Sequence, residues 1–291
     1  MSTGAVATGR GPGPGLVGVT GATGAIGGGV AAALAAAGTR QRLIVRDASR
    51  SPEYDGAEVA VASYDDPDAL RAAFTGLDAL LLVSAAEHPD RIAQHYRAVD
   101  AAAEAGVPRV VYTSFLGAAP DATFTLARHH FLTEARLRER GLTATILRDS
   151  LYLDFLPFMA GEQHVIAGPA GDGLVAPVAR ADVSDVAAAV LSSSDGSHDG
   201  RTYELTSGRL QSMADWAAEL AEVTGRDVRY VDETLEEAYA SRAQYDAPDW
   251  EVEGWVTSYL AVARGELALR TDDVETVSGH PPRTLRDLLT P

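Results

Sequence analysis

A doubly wound α/β fold on a parallel sheet is what this sequence predicts, and three observations carry the prediction. From Leu16 onward short apolar runs alternate with stretches of helical periodicity, the rhythm of strands joined by crossover helices. The first apolar run, Leu16 to Thr20, meets glycines at 21, 24 and 27 and opens at once into the Ala-rich run from Val30 to Ala37. With 291 residues, 46% of them hydrophobic, the chain can bury one large or two modest cores.

Taken in order, Met1 to Gly15 is mostly Gly, Ala, Ser, Thr and Pro with one charged side chain, Arg10, and reads as a disordered tail. Strands are expected at Leu16 to Thr20, Arg42 to Arg46, Glu58 to Ala62, Ala79 to Val83, Val110 to Ser114 and Ala144 to Arg148. Helices are expected between them at Pro67 to Phe74, Asp90 to Ala105 and Arg128 to Arg140. Pro67 suits a first helical turn and Gly106 a helix stop. After Arg148 the rhythm changes. Asp149 to Ala170 is aromatic and irregular, and Gly171-Asp172-Gly173 reads as a turn into a strand at Leu174 to Val178. A helix from Ala181 to Leu191 and a strand from Thr202 to Leu205 follow. Ser212 caps a helix that runs to about Thr224 and ends at Gly225. From Asp232 the remainder reads as helical and acidic.

The glycine-bearing turn has a definite chemistry. Gly21 lets the chain turn sharply, Gly24 lets backbone N–H groups approach a pyrophosphate, and Gly27 lets the helix pack close to its strand. The helix amino terminus adds free N–H donors and partial positive charge, so Thr23, Gly24, Ala25 and Ile26 become candidate phosphate contacts. A second strand ends at Arg46, near the roughly 20-residue offset at which such folds read the ribose. An acidic residue there would grip a 2′-hydroxyl, whereas a guanidinium pairs with a 2′-phosphate, so NADPH is the expected cofactor. The fold class is thus Rossmann-like, with a smaller, mostly helical C-terminal lobe. Residues 16–150 are expected to bind the dinucleotide. Residues 151–291 are expected to form the substrate lobe, with segments near 174–208 returning to pack on the sheet.

Composition excludes several function classes. The chain has no cysteine, so disulfides, thiolate nucleophiles and thiolate metal sites are ruled out, and no metal site is expected. All 24 basic residues are arginine; without lysine there is no Schiff-base chemistry, no phosphate-loop lysine and no Tyr-x-x-x-Lys dyad. A net charge of −17 argues against nucleic acid and anionic membrane surfaces. No apolar run is long enough to span a bilayer, and the first residues lack a signal peptide's pattern, so a cytoplasmic monomer or homodimer acting on a small molecule is the expectation.

The motifs, taken jointly, resemble the NmrA-like atypical short-chain dehydrogenases, and within them the NADPH quinone reductase and triphenylmethane reductase group. The matching pieces are TGATGAIG at Thr20 to Gly27, Val45-Arg46-Asp47, Leu80 to Ser84, Gln94-His95, Tyr112-Thr113-Ser114, Leu147-Arg148-Asp149 with Tyr152, GPAGDG at Gly168 to Gly173, Ala179 to Asp182, Tyr203-Glu204-Leu205 and Gly279-His280-Pro281. They cover nearly the whole chain from residue 16. The resemblance implies that Ser114 stands where the wider family keeps a catalytic serine, that the proton-donating tyrosine position falls on Leu126, and that the lysine position falls on His130. Ser63 stands where the family commonly has an aspartate at the adenine.

Without the dyad, reducing an ordinary ketone loses a positioned acid worth roughly two to four orders of magnitude. A quinone differs, because its reduced anion is phenol-like in basicity, and a cationic dye needs no proton at all. The expected function is therefore hydride transfer from NADPH to a quinone-like or conjugated aromatic acceptor, with no flavin or metal. An NADP-sensing regulator without turnover, or a tailoring reductase of a polycyclic aromatic metabolite, are the alternatives. His130 is expected to line the nicotinamide ribose, orient the ring or act as a weak acid, with His129 in its place should the helix phase differ. Asp149, at the carboxyl edge of its strand, would as an anion stabilise positive charge on the nicotinamide, or would cap the next segment. Ser84 and Ala85 are expected on the adenosine side, with Thr113 beside the cofactor. Phe115, Tyr152 and Phe155 are expected against a flat acceptor. His95 reads as a structural histidine, and Arg180 and Asp182 as ties for the second lobe.

Overall fold

The computed structural model describes residues 15–290. The tail expected over residues 1–15 therefore lies, except for Gly15, outside the described residues. The first half runs β1 (Val17–Thr20), α1 (Ala25–Ala36), β2 (Gln41–Val45), β3 (Glu58–Val61), α2 (Pro67–Phe74), β4 (Ala79–Leu82), α3 (Arg91–Glu104), β5 (Arg109–Phe115), α4 (Thr125–Glu139) and β6 (Thr143–Asp149). Each expected strand is present with its ends within one residue. Helix α2 matches its expected bounds because its signals are local: Asp66 accepts from the Ala69 N–H as a cap, and Pro67 occupies the first turn. Helix α4 starts three residues before the expected Arg128, since no side chain caps it and Phe124 stands at its N-cap.

The second half runs α5 (Leu156–Ala160), β7 (Val165–Gly168), β8 (Leu174–Val175), α6 (Arg180–Ser192), β9 (Thr202–Leu205), β10 (Gln211–Ser212), α7 (Met213–Thr224), β11 (Arg229–Asp232), α8 (Leu235–Arg242), α9 (Asp249–Ala263), α10 (Asp273–Ser278) and α11 (Leu285–Leu289). The stretch expected to be irregular after Asp149 contains α5 and β7, and β8 is shorter than its expected span.

Seven strands form one parallel sheet in the order β3-β2-β1-β4-β5-β6-β9. The order reverses between β1 and β4, which makes the crevice beyond their carboxyl ends the ligand-binding position of a doubly wound fold. Alternate strand residues serve the two faces. Ala79, Leu81, Val111 and Leu147 pack with α1, α6 and α10, whereas Leu80, Leu82, Val110 and Tyr112 pack with α2, α3 and α4. A third core, built on Leu153, Ile166, Trp216, Tyr259 and Leu285, joins α5, α7, α9 and α11. Within it β7 pairs with β11 and β8 with β10. The chain leaves the sheet after β6, contributes β7 and β8 to this third region, returns for α6 and β9, and leaves again.

Candidate active site

The loop between β1 and α1 has the backbone geometry expected of its glycines. Gly21 has φ +62, which an L side chain rarely adopts. A Cβ on Gly27 would lie 2.3 Å from the Gly21 carbonyl oxygen and 2.6 Å from that of Thr20, so only glycine lets α1 sit this close to its strand. At Gly24 the same construction meets only the Gly21 oxygen at 3.3 Å, so its outward side is open, and Thr23, Gly24 and Ala25 are exposed. Gly24 is the N-cap; no side chain caps α1 and no acidic residue occupies its first turn, so the leading N–H groups have no carboxylate competitor. Ile26 is buried beneath them.

Thr20 anchors the loop from below. Its hydroxyl donates to the Leu81 carbonyl at 3.0 Å and accepts from the Val83 N–H at 2.9 Å and from the Tyr64 hydroxyl at 2.8 Å. This joins the ends of β1 and β4 at the switch point. Arg46, just past β2, is exposed. Asp47 beside it turns back to accept from the Ser49 N–H and hydroxyl at 2.9 and 2.7 Å, which holds its carboxyl below the usual range and folds the short helical turn Ala48–Arg50. That turn presents Arg50, a second exposed guanidinium on the same loop. The residues fit a 2′-phosphorylated dinucleotide: open donors at the glycine loop, two exposed guanidiniums at the β2 edge, and a neighbouring acid already engaged.

At the ends of β4 and β5 the polar groups are knitted together. The Ser84 N–H donates to Thr113 Oγ1 at 2.8 Å, and the Ala85 N–H donates to His95 Nε2 at 2.9 Å. Because Nε2 accepts, the His95 proton sits on Nδ1, 2.8 Å from the Thr133 hydroxyl. Arg91, 4% exposed, donates through Nε to the Ala85 carbonyl and faces His130 Nε2 through Nη2 at 3.0 Å. Arginine has no lone pair to offer, so His130 Nε2 accepts, and its Nδ1–H faces the Tyr112 hydroxyl at 3.0 Å. Burial, then the Arg91 charge, pushes His130 well below the ordinary histidine range and His95 down to about 2. Burial thus favours a neutral His130 whose one N–H is engaged by Tyr112 and whose other nitrogen accepts from Arg91, an arrangement that does not support the expected weak-acid role. Its neighbour His129 points the other way, into a pocket of about 310 Å³ lined by Ile92, Pro120, Thr125, Arg128 and Leu132.

Ser114 is buried and donates to Glu134 Oε1 at 2.6 Å, and Glu134 in turn takes a two-pronged bond from Arg148 at 2.9 and 2.7 Å. The expected catalytic hydroxyl is therefore spent inside an ion-paired network that fastens α4 to β5 and β6. Asp149 closes β6 at 1% exposure. Its Oδ2 is 3.0 Å from the Tyr152 hydroxyl, while its Oδ1 has no partner. Burial with no cation beside it drives this carboxyl well above the usual carboxylate range. This favours the neutral acid over the anion that stabilising charge on the nicotinamide would need. Among the expected acceptor contacts, Tyr152 and Phe155 come together at 5.8 Å between ring centroids, whereas Phe115 packs on Phe124 at 4.9 Å. Leu126 and His130 share the inward face of α4.

A family model described as NAD(P)H-binding matches residues 21–194. The chain belongs to this NAD(P)H-binding family. Quinone oxidoreductase 2 of Escherichia coli (strain K12) is 33% identical to it over 282 residues, covering 94% of this chain and 96% of that protein. The solved structure of an NADPH-dependent quinone oxidoreductase from Escherichia coli complexed with NADPH superposes with TM-score 0.85 at 31% identity, covering 94% of this chain and 98% of that one. Triphenylmethane reductase of Citrobacter sp. superposes with TM-score 0.82 at 30% identity over the same shares. The resemblance read from the motifs and the Rossmann-like fold class are both borne out.

Within this NAD(P)H-binding fold, sequence reasoning passed over Tyr64, Arg91, Thr133 and Glu134. Two signals were available. Arg91 and His95 are four residues apart and so share a helix face; His130, Thr133, Glu134 and Leu137 repeat at the same spacing along α4. Arg180 and Asp182 do act as ties, pairing with Asp154 at 3.1 Å and with Arg283.

Proposed function

We propose that this protein is an NADPH-dependent reductase that passes hydride directly to a quinone-like or otherwise conjugated aromatic acceptor. The observation that carries the reading is a complete dinucleotide loop beside a proton-donor position filled by buried Leu126. The activities for which the relatives are named point the same way. In this reading Gly21, Thr23, Gly24, Ala25, Ile26 and Gly27 hold the pyrophosphate, and Arg46, with Arg50, takes the 2′-phosphate. Ser84, Ala85 and Thr113 shape the adenosine side. Bound NADPH supplies a hydride; the chain supplies the crevice, the orientation and the aromatic surface of Phe115, Tyr152 and Phe155.

Neutral His130, braced by Arg91 and Tyr112, orients the nicotinamide end rather than donating a proton. Ser114 serves the reaction only by holding α4 in place through Glu134. The dinucleotide occupies residues 16–150 and the acceptor lobe residues 151–291, with the 174–208 segment packed back on the sheet. No described helix is long and apolar enough to cross a membrane. We place the enzyme in the cytoplasm, as a monomer or homodimer.

The test mixes the protein with NADPH and a panel of simple quinones and follows loss of the reduced-nicotinamide absorbance. Turnover above the protein-free rate is expected. No oxidation with any acceptor, together with tight NADP binding, would replace this reading with a nucleotide sensor.

A further inference from the structure

Asp149 and Tyr152 form a hydrogen-bonded pair at the end of β6. Asp149 stands at the carboxyl end of β6, beside Phe115 of β5, on the edge where open α/β sheets bind their ligands. Its side chain is sealed from solvent, touches one protein group, the Tyr152 hydroxyl, and leaves Oδ1 without a partner. The neighbouring Ser150 hydroxyl is likewise buried and unpartnered. An anion in this position would lack any compensating cation, whereas a neutral carboxyl needs none. Tyr152 is half-buried, with its ring against Phe155, which is 44% exposed, while burial of its hydroxyl beside Asp149 holds it well above the ordinary tyrosine range. One end of the pair is a closed acid and the other a hydroxyl that donates to it from a partly exposed ring.

We propose that Tyr152 is the proton donor to the reduced acceptor and that Asp149 is the positioning residue that resupplies its proton, a relay that stands in for the tyrosine absent at Leu126. This rests on the reductase reading above. The step balances as follows. Hydride from NADPH leaves two electrons on the acceptor and negative charge on its oxygen. The Tyr152 O–H bond breaks as an O–H bond forms on that oxygen; the Asp149 O–H bond breaks as the Tyr152 O–H bond is remade. Asp149 is left as a carboxylate, and a solvent proton returns to it through the Tyr152 hydroxyl as product leaves.

The relay makes a prediction that stacking alone does not, because Phe at 152 keeps the ring and removes only the hydroxyl. Turnover is measured with 1,4-benzoquinone, whose reduced form needs a proton, and with a cationic triphenylmethane dye, which takes hydride alone. In both Tyr152→Phe and Asp149→Asn the ratio of quinone to dye turnover is expected to fall at least tenfold. The solvent deuterium effect on quinone turnover is expected to shrink toward one in both variants. Infrared difference spectra between wild type and Asp149→Asn are expected to show a protonated-carboxyl band near neutral pH, a readout independent of turnover. An unchanged ratio in both variants of a working enzyme, or no such band in wild type, overturns the relay alone. A wild type silent toward both acceptors overturns the reductase reading and the relay with it.

Discussion

Adding one methyl group at Gly27 or at Gly24 should separate the two jobs of the phosphate loop. At Gly27 the new Cβ lies 2.3 Å from the Gly21 carbonyl oxygen, and real Cβ atoms stay beyond 3.0 Å, so the loop and α1 must part by at least 3.0 − 2.3 = 0.7 Å. The obstacle is backbone on both sides and cannot swing away. Overpacking of this kind costs about 1–3 kcal/mol, and moving α1 also shifts the donors meant for phosphate. At Gly24 the Cβ meets the Gly21 oxygen at 3.3 Å and the backbone is extended, with φ −95 and ψ 176, so alanine fits at a cost of about 1 kcal/mol or less, the difference between the two residues at an N-cap. Its methyl instead occupies the side from which the pyrophosphate arrives. Thermal unfolding is measured with and without NADPH. Wild type at 100 times its Kd gains about 2.7 kcal/mol from the cofactor. Gly24→Ala should unfold near the wild-type temperature without cofactor and lose most of that gain; Gly27→Ala should unfold several degrees lower and lose the gain as well. Equal destabilisation by the two substitutions, or a full NADPH gain in Gly24→Ala, would refute this division of labour.

Arg46→Ala should weaken NADPH binding roughly ten- to a hundredfold, from the loss of charge-assisted bonds of about 1.5–3 kcal/mol, and leave NADH binding nearly unchanged; equal losses in a titration with both would contradict the 2′-phosphate assignment. Glu134→Gln breaks the buried pairing with Arg148 while leaving the guanidinium in place, and should cost about 3 kcal/mol in urea unfolding; a loss below 0.5 kcal/mol (~) would show the network to be ornamental. Histidines 95, 129 and 130 are depressed by burial, His129 to about 4. Their folded forms refuse protons that the unfolded chain accepts below about 6.5, so stability should be complete above that pH and fall on acidification, by up to about 1.4 kcal/mol per pH unit per histidine. His129→Gln should flatten the slope between pH 6.5 and 4 (~), and an unchanged slope would count against it.

The parts of the fold readable from the chain are those whose signals are local. Ala79 to Leu82 is apolar at every position because a central parallel strand is covered on both faces, and the glycine at 27 is demanded by atoms six and seven residues earlier. Strands β7 and β11 escaped notice because they pair with each other outside the main sheet and β11 is largely exposed, so no apolar run marks it. The site divides on the same principle. Gly21 to Gly27 and Arg46 could be placed from spacing, whereas the fate of Ser114 depended on Glu134 of the next helix and that of His130 on Arg91, 39 positions upstream. Asp149 was found with its charge left conditional, since protonation follows from how completely neighbouring elements exclude water, a property no short window of residues encodes.

The route of the chain after β6 bears on how the crevice can open. Because β9 hydrogen-bonds to β6 in the middle of an excursion that both precedes and follows it, and Gly29 of α1 admits Ser184 of α6 where a Cβ would lie 2.6 Å from the hydroxyl, the two regions are sewn together more than once. A single swivel point joining them does not exist. Under the proposed reading, a flat acceptor would enter by small local displacements of exposed rings such as Phe155 rather than by a wide gape, which would favour thin, planar molecules over bulky ones.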